Sequence, residues 1–391
     1  MSSKLASALT VLSCIFTLIA AAIVLVGPFA AALIAAISAI AFAAWLWTYD
    51  VGEAETRNLL SPYLAIPPLF VALSAARYAG GWVELLATHY VGLFSPAFAF
   101  TGSNWFVLLV CTPATVILFG GYLLSRRAPM GRYMAWWAAL YAVSEGVVQL
   151  AGGFAADAGP LVLVSATLSL ALIGVGLVLL QRLLAPKAAR VEVPPPLSDR
   201  QRLLWAALFV ASVGVYSATL LTQAGPLPVF IVGGSMLGGI IGWWLTTSRV
   251  PADPSWSVPL FLLLLTLFYI HVGEEALTNF NGMIAEISGQ PWSDYDFMIL
   301  IGLIGPVVWF FAAWSLWKRQ AIGNFIFWFL IVGMILGEPT HLIVFPIRRM
   351  MMLDSGYEYF SGMYTALFPM IPAILALVRI TRDHRIGKVA S

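Results

Sequence analysis

Apolar runs long enough to cross a bilayer recur along the whole of this 391-residue chain, and that recurrence constrains its fold more than any other feature. A hydrocarbon core about 30 Å thick takes ~20 apolar residues per helical crossing, and runs of that length predict about twelve helices. Of all residues, 61% are hydrophobic and only 10% charged, against roughly 25% charged in an average soluble domain. The expected fold class is therefore all-α, a polytopic membrane protein, and soluble enzymes and nucleic-acid binders are excluded. Cys14 and Cys111 both lie inside apolar runs, so neither a disulfide framework nor a thiolate metal site is expected. The N-terminal apolar run behind Lys4 continues through the Gly27-Pro28 break to Trp47. It reads as two retained helices rather than a cleaved signal peptide.

The longest polar interruption runs from Ala185 to Arg202 and carries Lys187, Arg190, the Pro194-Pro195-Pro196 run and Arg200. It reads as a linker (185–202) between two halves, 1–184 and 203–391. The halves share features in one order and at nearly one spacing. Gly27-Pro28 returns as Gly225-Pro226, Ala44-Trp45-Leu46-Trp47-Thr48 as Gly242-Trp243-Trp244-Leu245-Thr246, Pro113 with Arg126 as Pro306 with Arg319, and Glu145 as Glu338. The segment Gly131 to Trp136 likewise returns as Gly323 to Trp328. An internal duplication into two parallel six-helix repeats is the expected organisation. Arg126, Arg127, Arg132, the linker, Arg249, Lys318, Arg319, Arg379, Arg382, Arg385 and Lys388 all fall on one side of that arrangement. This places both termini in the cytoplasm, with Arg348-Arg349 as the one exception, which Asp354 and Glu358 are expected to offset.

Ionisable side chains within spanning helices are costly, and each is a functional hypothesis. The second half concentrates them. His271, Glu274 and Glu275 stand at i, i+3 and i+4 on one helical face. Further on, Glu338 and His341 lie one turn apart, and Asp354, Tyr357, Glu358 and Tyr359 return over the same end. A single such residue is adequately explained as a hydrogen bond between helices, worth about 0.6 kcal/mol. Three carboxylates and two imidazoles on neighbouring helices are not, because the carboxylates repel one another. Protons, a metal or a cationic substrate must neutralise them. In the first half, Arg77 or Tyr78 stands near the place of His271, Gly80-Gly81-Trp82 replaces the Glu pair, and Val148-Gln149 replaces His341. That half reads as a scaffold with a degenerate site, in which Arg77 would pair with Glu84 or Glu145 and His89 would be interfacial.

The run His271-Val-Gly-Glu274-Glu275, the later His341, and the stretch Tyr359 to Ala366 with Pro372 resemble the membrane proteins named for an H-x-x-E-E motif. More distantly, residues 255–380 resemble the emopamil-binding protein superfamily, the EXPERA-like group that includes sterol isomerase, the sigma-2 receptor and several isoprenoid-binding proteins. Four blocks match in order: His271 with Glu275, the Leu303-Ile-Gly305-Pro306 helix with Trp309, the Gly337-Glu338 pair, and the helix from Thr365 to Pro372. The chain departs from that pattern where the isomerases carry a second acid. Here Phe297 and Met298 stand, with Asp296 the nearest carboxylate, while Thr365 and Phe368 replace an Asn and a Trp. The resemblance implies a pocket for a rigid lipophilic molecule, with Asp296, Trp309, Tyr359, Tyr364, Thr365 and Phe368 as substrate contacts.

Three mechanisms fit the residues. In the first, a membrane enzyme isomerises or cyclises a sterol-like or isoprenoid alkene without a cofactor. Protonated Glu275 or Glu274 would be the acid, His271 or Glu338 the base, and rings such as Trp309, Phe310, Tyr364 and Phe368 would stabilise the carbocation. In the second, His271, Glu274, Glu275, Glu338 and His341 bind Fe or Zn, the Glu338-x-x-His341 spacing being that of di-iron carboxylate bundles, with Pro339 disturbing the helical phase. In the third, the chain is a proton-coupled transporter or lipid receptor. The crowding of polar residues in one half favours a site within one repeat. The expected partners are a lipophilic small molecule and membrane lipid, with no nucleic acid, and a homodimer is compatible with the sequence. No Gly-rich phosphate loop calls for a nucleotide or flavin.

Overall fold

The computed structural model describes residues 3–49, 56–79, 102–153, 161–185, 195–293, 297, 300 and 304–390. Every regular element among them is helical. Among the described residues six helices are long and apolar enough to cross a membrane, and four shorter apolar helices accompany them: Ala31–Trp47, Asn58–Ser74, Thr112–Ser125 and Val307–Trp317. The protein is thus a multi-helix membrane protein, with fewer full-length spans among the described residues than the twelve expected. A π-helical turn, Val107–Cys111, lies just ahead of Pro113 and joins the short helix Gly102–Phe106 to Thr112–Ser125. Asp296, Met298, Gly80 to Trp82, Glu84, His89, Lys187, Arg190 and Pro194 lie outside the described residues.

The chain divides into two compact units, Met1–Arg190 and Val191–Ser391. In the first, α1 (Ser3–Leu25) turns into α2 (Pro28–Trp47) at Gly27, whose φ of 139° is open to glycine, with Pro28 starting the next helix. Next come α3 (Thr56–Ala79), α4 (Thr112–Ser125), α5 (Pro129–Gly153) and α6 (Leu161–Leu184). Buried Trp45 donates its indole N–H to Pro129 O at 3.0 Å, and Trp136 donates to Thr48 Oγ1 at 3.1 Å, locking α2 to α5. Arg182 donates to Asn58 O at 2.7 Å and ties α6 to the start of α3.

The second unit opens with α7 (Asp199–Ala224), started by a reciprocal capping box between Ser198 and Gln201. Arg202 is buried there, held by Asp199 at 2.9 Å and Ser248 at 3.0 Å and laid over the Trp244 ring. Then follow α8 (Gly234–Gly242), α9 (Pro254–Leu277), α10 (Phe280–Ser288), α11 (Gly305–Trp317), α12 (Ala321–Leu336), α13 (Val344–Leu353) and α14 (Leu367–Ala390). Burial separates the roles of these helices. The spans Pro254–Leu277 and Ala321–Leu353 are 67% and 61% buried, whereas Asp199–Gln223 and Pro226–Thr247 are 17% and 22% buried and face outward. α9 packs against α11 and α14, and α12 packs against α8, α11 and α14. At the starts of α9 and α12, Asn324 accepts from Ala252 N–H at 2.9 Å and fixes the two central helices to each other.

The α11–α12 corner is closed by Arg319 in the left-handed region at φ 57°. Beyond it, a Cβ on Gly323 would strike the backbone of Ser315 and Leu316. Backbone offers no rotamer to absorb the clash. Gly323→Ala is therefore expected to cost about 1–3 kcal/mol, read from detergent thermal unfolding. An unchanged midpoint would show that the corner relaxes.

α12 stops at Gly337 because Pro339 has no N–H to continue the ladder, and the chain tightens into a 3₁₀ turn, Glu338–His341. In α13, beyond that turn, Arg349 pairs with Glu286 at 2.8 Å and with Glu358 at 3.7 Å, and Arg348 donates to Ile287 O at 2.7 Å. The exceptional Arg pair is thus engaged by α10 and by Glu358.

Candidate functional site

The last turn of α9 and the 3₁₀ turn after α12 carry the ionisable groups to one place. α9 ends where Thr278 turns its hydroxyl back to Glu274 O at 2.7 Å, and Asn279 takes the left-handed conformation. His271, Glu275, Glu338 and His341 are all buried. His271 Nε2 lies 2.8 Å from Glu338 Oε2 and 3.6 Å from Glu275 Oε1, and His341 Nε2 lies 3.4 Å from the same Glu275 oxygen. The two imidazoles stand edge to face with centroids 4.8 Å apart. The i, i+4 pair of α9 and the Glu338/His341 pair therefore converge.

Glu274 does not join them directly. Its carboxylate accepts from Tyr359 OH at 2.6 Å, Tyr364 N–H at 3.1 Å and Thr365 N–H at 2.8 Å, and also from the Thr365 hydroxyl. A carboxylate with four donors is an anchor for the turn that leads into α14, and the backbone N–H groups it takes precede that helix. Contact with His271 runs through Thr365, whose Oγ1 is 3.0 Å from His271 Nδ1.

The turn 359–366 roofs the cluster. Ser361 supplies its carbonyl oxygen to His341 Nδ1 at 2.7 Å, and its hydroxyl meets Thr278 at 2.6 Å. Gly362, at φ 85°, passes so close that a Cβ would lie 2.7 Å from both His271 Cε1 and His341 Nδ1. Irregular backbone at such a place is tolerated where its polar groups find partners within the protein.

These partners assign the tautomers. Ser361 O can only accept, so His341 Nδ1 carries the hydrogen. Thr365 spends its own hydrogen on the Glu274 carboxylate, so it accepts from His271 Nδ1–H. Both Nε2 atoms then present lone pairs toward Glu275 and Glu338. His271 Nε2 and Glu338 Oε2 stand 2.8 Å apart, and neither atom has a further hydrogen-bond partner. His271, Glu275 and His341 together offer three ligand atoms within 4.8 Å of one another.

The aromatic residues divide differently from the sequence expectation. Trp309 is buried and packs edge-on against Phe268 at 4.9 Å, and Phe268 in turn lies 6.4 Å from His271, so Trp309 stands behind a first ring. Tyr364 is 77% exposed and Phe368 42% exposed, and Tyr364 stacks on Tyr359 at 4.8 Å rather than on the cluster. Asp296 is outside the described residues. The rings that do line the site are Phe280, stacked on His341 at 5.1 Å, and Phe345, edge-on to it at 5.1 Å. Neither they nor Ser361 carried a signal in the sequence, since Phe occurs 24 times and a backbone acceptor is independent of residue type.

Partial burial and the bond to Glu274 push the Tyr359 phenol up from 10 to about 12. A raised value in the folded state means that its stabilisation is complete below pH 10 and is lost as pH rises through about 12. Wild type is expected to lose thermal stability over that interval relative to Tyr359→Phe. Parallel pH profiles for the two proteins would contradict the bond. A comparison of the chain with protein-family models, with curated proteins and with solved structures finds no match.

Proposed function

We propose that the second unit is an integral-membrane enzyme acting on a lipophilic molecule of the sterol-like or isoprenoid class, with His271, Glu275, Glu338 and His341 as its reacting centre. The observation that carries this reading is the burial of those four groups together within two spanning segments, with His271 Nε2 and Glu338 Oε2 only 2.8 Å apart. Ionisable side chains are costly inside a membrane, and four of them gathered at one point mark a functional site. The sources of the groups also matter: all four come from one unit, which favours an enzyme over a carrier working between two halves. The motif order shared with the emopamil-binding superfamily supports the substrate class. In the acid–base form of this reading, Glu275 or Glu338 protonates an alkene and a neighbouring imidazole removes a proton elsewhere, giving isomerisation or cyclisation.

Within the same reading the two units are copies of one six-helix repeat, the first having lost its site, and twelve helices place both termini in the cytoplasm. Support comes from paired local geometry. Arg127 and Arg319 share a φ of 57°, and a Cβ on Gly131 would strike Leu123 and Leu124 as one on Gly323 strikes Ser315 and Leu316. At the place of Glu338, Glu145 accepts from Gln149 at 3.2 Å, and Val148-Gln149 stands where the second unit has His341.

The test is conversion. Protein in lipid nanodiscs is incubated with sterol and isoprenoid alkenes, and the products are separated by gas chromatography with mass detection. Wild type is expected to convert a member of the panel, and Glu338→Gln to be slower by about 10²–10⁴-fold, the range for loss of a positioned acid or base. Equal conversion by wild type and Glu338→Gln would remove this carboxylate from the reaction.

A further inference from the structure

We propose that His271 Nε2, His341 Nε2 and Glu275 Oε1 form a two-histidine, one-carboxylate site for a single divalent first-row metal ion, with Glu338 as the adjoining fourth ligand. This deepens the reading of the cluster as a reacting centre and rests on it.

Geometry supplies the first argument. Ligand atoms about 2.0–2.2 Å from a metal stand ~2.8–3.6 Å from their neighbours in tetrahedral or octahedral coordination. Glu275 Oε1 stands 3.6 Å from His271 Nε2 and 3.4 Å from His341 Nε2, Glu338 Oε2 adds a 2.8 Å approach to His271, and the three ligand atoms of the triad lie within 4.8 Å of one another, so the two imidazoles must draw together to share one ion. His271 Nε2 and Glu338 Oε2, 2.8 Å apart and with no further partner, are placed as two neighbouring ligands of one centre would be.

The second argument is how the rings are held. Both imidazoles are fixed through Nδ1, one by the Ser361 carbonyl and the other by the Thr365 hydroxyl backed by Glu274. That leaves each Nε2 free and oriented, the arrangement by which metal-ligating histidines are held from behind. Gly362 lies against both rings and keeps their edges in place.

Charge is the third. Ionised Glu275 and Glu338 would leave two negative charges in a site from which water is excluded, and one divalent cation brings the total to zero. Among the described cysteines, Cys14 and Cys111 belong to the other unit, so the donors are imidazole and carboxylate alone. That set suits Fe(II), Mn(II) and Zn(II), and the two-histidine, one-carboxylate arrangement is the one used by non-haem iron and catalytic zinc. Such an ion would supply Lewis acidity at the cluster.

The experiment uses the full chain in detergent, purified without chelator and without a metal-affinity step. Wild type, His341→Ala, Glu275→Gln and the control His384→Ala are compared by plasma mass spectrometry, and metal-free protein is titrated with Zn(II) and Co(II). One ion per chain is expected in wild type and in His384→Ala, with loss in His341→Ala and Glu275→Gln. Bound Co(II) should show visible bands of a nitrogen–oxygen site. Glu275→Gln preserves side-chain volume, so it gives the answer if His341→Ala does not fold.

Wild type that carries no metal and binds neither Zn(II) nor Co(II) overturns the site. Metal retained equally in Glu275→Gln and His341→Ala also overturns it, because the ion then lies elsewhere. Lipid conversion by metal-free wild type overturns the metal role and leaves the enzyme reading standing. One ion per chain with the expected variant losses, and no conversion of any lipid, supports the site and overturns the enzyme reading.

Discussion

Gly362→Ala is expected to lower stability by about 2–5 kcal/mol, the sum of a left-handed penalty of ~1–2 kcal/mol and an overpacking cost of ~1–3 kcal/mol. Both causes act at this one residue. Its φ is 85°, and the added methyl would meet His271 Cε1 and His341 Nδ1 at 2.7 Å. Neither ring can yield, because each is held through Nδ1, by Thr365 and by the Ser361 carbonyl. Two other glycines separate the causes. Gly289 also has a positive φ, 71°, but open space around it, and Gly289→Ala should show only the backbone penalty of about 1–2 kcal/mol. Gly356 has open space and no left-handed backbone, so Gly356→Ala should stay within about 0.5 kcal/mol of wild type. Detergent thermal unfolding of the three variants tests the ranking. A Gly362→Ala midpoint no lower than that of Gly289→Ala would mean that the turn lifts off the rings at little cost, and that the roof is not what holds them.

The parts of the site that were legible in the sequence are those written in helical spacing. His271 and Glu275 share a face because they are four residues apart on one uninterrupted helix, and the helix is there because its flanking residues are apolar. Glu338 and His341 were legible as a pair for the same reason, though their local structure is not α-helical. Pro339 removes a hydrogen-bond donor, and the tighter 3₁₀ turn brings i and i+3 into register, so the proline that was expected to spoil the motif leaves both groups on one side. Glu274 shows the limit of spacing. It lies on the same helical face as its neighbours, yet its carboxylate is taken by four donors of a segment some ninety residues later, and no local pattern announces a competition of that kind.

The structure sets Trp309, Tyr364 and Phe368 apart from the ionisable cluster for a related reason. With 13% aromatic residues the chain offers rings everywhere, and which of them reaches the cluster depends on tertiary placement. Phe280 reaches His341 because the left-handed Asn279 reverses the chain directly after α9. Tyr364, within the turn, and Phe368, at the start of α14, remain exposed. Among the described residues six helices have full spanning length and four are shorter, because hydropathy counts residues and does not see where a helix begins and ends.

Thr365→Val is expected to weaken metal binding by about 10–100-fold, the usual cost of losing a partner behind a ligating histidine. Valine keeps the shape of threonine and the backbone bond from residue 365 to Glu274 at 2.8 Å, so the turn stays docked. What disappears is the hydroxyl that receives His271 Nδ1–H and passes its own hydrogen to the carboxylate. The imidazole is then free to rotate or to move its hydrogen to Nε2, and either change withdraws the lone pair from Glu275 and Glu338. Thr365→Ser restores the hydroxyl and should recover most of the affinity, whereas a loss of packing alone would make the smaller serine worse than valine. Glu274→Gln keeps an acceptor for the Thr365 hydroxyl but removes the charge behind it, and should fall between the two. Competition for Zn(II) against a coloured chelator gives the ordering. Valine binding as tightly as wild type would show that the orientation of His271 is set by its own helix and that the relay to Glu274 serves only to hold the turn.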